Sequence, residues 1–193
     1  YPHYPRHNTG FHDPLHATCM YLNNDGVEAV MVTLDLLYIG KKYVKQIREN
    51  VEKACGIPGK HIMFTCTHTH SGPIAYGALR TVPATDDKPE AYVADLVNII
   101  TKCIIDAKAD AFDAEFTCAI GRCGAESGVG GNRRTPGGPH DPSVNVLAVR
   151  EKGGMLRGAI VNYSLHPTFI HEWSTVCTAD YPNYLKLEIE ETY

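Results

Sequence analysis

From residue 15 the chain alternates between apolar and polar positions. Leu15 to Leu22 and Val27 to Leu34 are apolar-rich and β-branched, and Asn23-Asn24-Asp25-Gly26 separates them. Asp-Gly favours the positive φ values of a tight turn, so the pattern predicts a β-hairpin. Lys41 to Ala54 then changes period. Val44, Ile47, Val51 and Ala54 fall at helical spacing among charged residues, with Gly56 and Pro58 just past the end, which predicts an amphipathic surface helix. His61 to Thr67 reads as a short strand. Strand, helix, strand in that order predicts a crossover with parallel pairing.

The second half repeats both patterns. Asp87, Pro89 and Glu90 form a helix start before Val93, Leu96, Val97, Ile100, Cys103 and Ile104. Phe112 to Gly121 alternates as a strand. Val144 to Arg150 and Met155 to Leu165 flank a Gly153-Gly154 turn and predict a second hairpin, and Asp180 to Tyr193 reads as a helix entered through Pro182. Residues 1–14, 71–87 and 122–142 are rich in Gly, Pro and polar residues and read as loops, of which the two long internal ones are the usual place for function. The expected fold is a single α/β layered domain over 1–193, with a mixed β-sheet, β-hairpins and flanking helices. The start at Tyr1 and the stop inside a helical pattern lead us to expect a portion of a longer chain.

Composition removes several classes of function. Lys and Arg number 18 against 22 Asp and Glu, a formal charge of −4, without the basic surplus that phosphate-backbone binding requires. Nucleic acid is therefore not an expected partner. The longest apolar runs, such as Val97 to Ile100, fall far short of the ~20 residues of a membrane span. Seven cysteines, an odd number without a CxxC pair, do not predict a disulfide framework and leave room for one pair at most. Gly128-Val129-Gly130-Gly131 resembles a phosphate loop only in composition, because no Gly-Lys-Ser/Thr follows. His3, His7, His12 and His16 read as a solvated loop or the rim of a site.

Candidate chemistry concentrates in Thr67-His68-Thr69-His70-Ser71-Gly72-Pro73. On a strand, positions i and i+2 share a face roughly 6.5–7 Å apart, so both imidazoles are expected to look into one cavity. Either both bind one metal, or one binds it while the other reaches the substrate. Leu165-His166-Pro167-Thr168 closes another predicted strand, so His68 and His166 converge if the two strand ends share an edge. Catalytic zinc commonly takes three protein ligands, and His171, Glu172 and Asp180 are the nearest further candidates. Asp35, at the end of the first hairpin, is placed either to orient a ligating histidine or to cap the next turn.

Thr67-His68-Thr69-His70-Ser71-Gly72-Pro73, Asn132-Arg133 followed by Pro136, His166-Pro167-Thr168 and Ala179-Asp180-Tyr181-Pro182 occur in this order. Together with Asp13-Pro14-Leu15 and the strand ending in Asp35, they resemble the neutral/alkaline, non-lysosomal type ceramidases and their bacterial relatives across essentially the whole chain. The resemblance implies a zinc-dependent amidohydrolase cleaving an N-acyl, ceramide-like lipid amide through a metal-activated water. It implies Zn²⁺ ligands at His68 and His166, an oxyanion-stabilising His70 and a substrate-facing Arg133. The family's Asn-Arg-Ser-Pro is one residue longer here, Asn132-Arg133-Arg134-Thr135-Pro136, which leaves Arg133 and Arg134 both open for that role. It also implies that the remaining ligands, a glutamate and a tyrosine, belong to a later part of the chain. Two other readings compete: a barrel-type hydrolase whose His-x-His pair binds one ion, and a non-catalytic binding domain.

Overall fold

The computed structural model describes residues 8–73, 75, 88–170 and 174–193. The chain divides into two compact units, Tyr1–Ala111 with Pro167–Glu188, and Phe112–His166 with Ile189–Tyr193.

In the first unit, β1 (Gly10–Phe11) is short, and β2 (Ala17–Asn24) and β3 (Val27–Leu34) form the predicted hairpin. Its turn uses Asp25 at φ 50° and Gly26 at φ 85°, the left-handed pair that Asp-Gly accommodates. Helix α1 (Lys41–Cys55) follows, then a 3-10 turn at Gly59–His61 and β4 (Ile62–Cys66), which pairs parallel to β3 with Val32 opposite Phe64. Gly56 at φ 78° ends α1, its N–H bonding the Glu52 carbonyl at 3.0 Å. The predicted crossover is thus present, and β2-β3-β4 is a mixed sheet.

Alternation along β3 sends Val30, Val32 and Leu34 into the core. There they meet Ile47 and Val51 of α1, Ile62 of β4, and Val93, Val97, Ile100 and Ile104 of α2 (Lys88–Ala109). Asp87, expected to cap α2, lies outside the described residues.

The second unit is an antiparallel meander of β5 (Ala114–Arg122), β6 (Ser143–Glu151) and β7 (Leu156–Tyr163), with a bulge at Val149/Arg150. Back in the first unit, β8 (Val176–Cys177) pairs parallel with β1, and α3 begins at Tyr181 and runs to Thr192. The fold class is α/β, as predicted. The strands, however, form three sheets rather than one.

Two strands end earlier than their patterns predict. β7 stops at Tyr163, opposite Val144, one residue short of Ser143, where β6 begins. β4 stops at Cys66, opposite Leu34, the last residue of β3. The histidines therefore lie on the loops that leave the strands.

Candidate metal centre

His68 and His70 do come together, but not through strand alternation. After β4 the Thr67 and His68 amides donate to the Leu34 and Leu36 carbonyls at 2.9 and 3.0 Å, so the segment still follows β3. His68 then turns left-handed, with φ 68°. That region is uncommon for a residue with a Cβ and costs about 1–3 kcal/mol, which the surrounding bonds must offset. The rings of His68 and His70 meet edge to face, centroids 5.1 Å apart at 85°. Tyr38 flanks His68 on another side at 5.0 Å.

The tautomer of His68 follows from its partner. Nδ1 lies 3.0 Å from the Leu37 carbonyl, which can only accept, so Nδ1 carries the proton and Nε2 presents its lone pair. A histidine bound this way is ready to ligate a cation. Asp35, the carboxylate considered for that orienting task, is used elsewhere. Its Oδ2 accepts the His16 N–H at 2.9 Å and the Lys186 ammonium at 2.6 Å, and its own N–H donates to the His16 carbonyl at 3.0 Å. The buried Asp35 is thus a joint between the strand end, residue 16 and α3, closer to the capping role.

The loop beneath the pair is held from the same side. Thr69, fully buried, donates its hydroxyl to the Thr178 carbonyl at 2.8 Å, and the Thr178 N–H returns to the Ser71 carbonyl at 3.0 Å. Asp13 fastens Thr178 in turn, accepting from its hydroxyl and, at 2.8 Å, from the Ala179 N–H. Asp13, Thr69, Thr178 and Lys186 are supports that sequence reasoning missed. Asp13 and Ala179-Asp180 already stood in the motifs quoted above, which was the available signal, while Thr178 and Lys186 carried none.

Asp180 was a candidate third ligand. It sits at φ 64°, buried, with Oδ2 accepting the Ile170 N–H at 2.9 Å and Oδ1 the Tyr181 N–H at 2.7 Å. Both oxygens thus hold backbone at the start of α3. His171 and Glu172 lie outside the described residues, as do His3 and His7 of the N-terminal histidines and the aromatic Trp173.

In the second unit, Asn132 shapes the turn that carries the two arginines. Its Oδ1 accepts the Arg134 and Thr135 N–H groups at 3.0 and 2.9 Å, and its Nδ2 donates to the Pro139 carbonyl at 2.9 Å. Arg133 Nη1 lies 3.4 Å from His166 Nδ1. That contact distinguishes Arg133 from its neighbour. Gly130, at φ 70°, must be glycine, since a Cβ there would stand 2.7 Å from the Tyr163 hydroxyl, which bonds the Cys123 carbonyl.

No family model and no curated protein sequence matches the chain. Solved structures do. A ceramidase complexed with C2 matches with a TM-score of 0.79 at 21% identity, covering 93% of this chain and 30% of that one. The neutral ceramidase of Pseudomonas aeruginosa matches with a TM-score of 0.77 at 23% identity, covering 89% of this chain and 29% of that one. The chain spans about 30% of the length of the solved structures it matches. Among the described residues no helix is long and apolar enough to cross a membrane. The fold of this chain is therefore that of the corresponding portion of ceramidases, the proteins whose motifs its sequence resembles.

Proposed function

We propose that this chain carries part of the active site of a zinc-dependent hydrolase that cleaves an N-acyl amide bond of the ceramide class. The single observation that most supports it is the pair of imidazoles that follows β4: the rings of His68 and His70 meet edge to face with centroids 5.1 Å apart, at the positions where the resemblance puts a zinc ligand and an oxyanion donor. His166 is the residue before Pro167, at which the chain returns to the first unit. The tautomer of His68, with the proton on Nδ1 toward the Leu37 carbonyl and the lone pair on Nε2, supports the same reading. When bound, zinc lowers the pKa of water to ~7 and polarises the amide carbonyl.

His68 and His166 are the proposed ligands. A neutral imidazole has one lone pair, so His166 cannot hold a cation and accept from Arg133 at once. Arg133 is then free to turn its guanidinium to the substrate carbonyl, which favours it over Arg134 for the substrate-facing role. His70, whose ring meets that of His68, donates to the oxyanion as it develops. The contact of the two rings also supports a second reading for His70, as a further ligand beside His68. Asn132 and the Asp13–Thr178 pair hold the two loops in place. Hydrolysis then separates a carboxylic acid from an amine.

The ceramidase fold supports a lipid N-acyl substrate. Loop 122–142, polar and glycine-rich, equally suits a smaller N-acyl amine, and the polar loop 71–87, most of it outside the described residues, reads the same way. The barrel-type alternative loses support, since the described strands form three open sheets rather than repeated β/α units.

The test is metal content and turnover of the full-length protein on ceramide and on short N-acyl amines. His68→Ala and His166→Ala should lose the metal. His70→Ala should keep it and lose about 10²–10³ in rate, as for an oxyanion donor; loss of metal from His70→Ala would select the ligand reading. Normal zinc binding by all three variants would overturn the assignment, and a protein indifferent to chelation would be a binding domain.

A further inference from the structure

Strand β2 and helix α2 bring two cysteines of the first unit together. Ala17 and Cys19, two apart on β2, share the face that packs on the core, and Cys103 lies one turn from Ile100 and beside Ile104 on α2. Cys103 Sγ donates to the Ala17 carbonyl at 3.5 Å, which sets the sulfur against that face of the strand. Both cysteines are half-buried, and all seven cysteines are free.

We propose that Cys19 and Cys103 are a site of reversible covalent modification, closing to a disulfide that staples α2 to β2 when the protein meets a low-molecular-weight disulfide. The interaction between the two thiols also divides their acidity. It pushes Cys19 up and holds Cys103 down to about 7, so a thiolate is present on Cys103 near neutral pH. That thiolate attacks one sulfur of the small disulfide and expels its other half, forming a mixed disulfide on Cys103. Cys19 then loses its proton, attacks Cys103 Sγ and expels the second small thiolate. The protein pair is oxidised by two electrons, and the small disulfide is reduced to two thiols that take up the two protons. Because the residues are far apart in sequence, the closed loop is long and the constraint on the unfolded chain large.

The experiment is incubation of the reduced protein with oxidised glutathione, followed by thiol counting and mass mapping of peptides. The expected result is two fewer reactive thiols, one cross-linked peptide pair joining Cys19 to Cys103, and a thermal midpoint raised by about 5 °C or more. Reductant should reverse all three. Cys19→Ser should stop at a stable glutathione adduct on Cys103, with no cross-link. Retention of all seven thiols, adducts on both cysteines without a cross-link, or a cross-link between other residues would overturn the proposal. Mapping on the wild-type protein decides it even if a serine variant fails to fold.

Discussion

The two units use β-structure in opposite ways. In the first, every second residue at the end of β3 is buried, and Val30, Val32 and Leu34 meet side chains from two helices. In the second, β5 is exposed along its whole length, and Val149 is the one described hydrophobic residue that is buried. A sheet covered by helices makes a dense core, whereas the meander owes its order to ladder bonds and loop contacts such as Tyr163 with Cys123. The residues proposed for chemistry follow the same division. His68 sits on a support of buried hydrogen bonds, and Arg133 on an exposed turn shaped by Asn132.

Paired substitutions sharpen the contrast, and denaturant unfolding measures each of them. The largest loss belongs to Ile100→Ala, which empties a fully buried site on α2. It should cost about 2–5 kcal/mol. A cost under 1 kcal/mol would show that the first unit is not the dense one. Asp13→Ala comes next, because it strips the acceptor from the Thr178 hydroxyl and the Ala179 N–H. About 1–3 kcal/mol is expected for each buried donor left without a partner, with a loss of metal affinity alongside if Thr178 steadies the His68 loop. Gly130→Ala, in the second unit, meets both a left-handed backbone and the Tyr163 hydroxyl. About 1–3 kcal/mol is expected there, and a neutral result would mean the loop is not held as described. Ile120→Ala, at a residue 78% exposed, should stay within about 0.5 kcal/mol. A larger loss would reveal packing on β5 that the exposure does not suggest.

Much of the architecture was legible because local chemistry and burial agree. Asp25-Gly26 set the hairpin, Gly56 ended α1, and the period of Val93 to Ile104 marked the buried side of α2. The end of β4 was less legible, since pairing stops where β3 runs out, and the sequence of β4 does not contain that limit. For the candidate site, motif spacing brought out His68, His70, Arg133 and His166. It did not contain how His68 is held. The left-handed backbone at His68 and the Leu37 carbonyl depend on main-chain bonds to a segment some thirty residues away, which no side-chain pattern encodes. Asp35 was legible as important, but Lys186, its half-buried ion partner, became visible only once α3 was placed beside it.

X-ray absorption at the zinc edge of the zinc-loaded full-length protein tests the proposed centre most directly. The account predicts a shell containing imidazole nitrogens at about 2.0–2.1 Å, with the histidine count falling by one in any His68→Ala or His166→Ala sample that retains metal. A shell of oxygen alone, or one left unchanged by both substitutions, would contradict it.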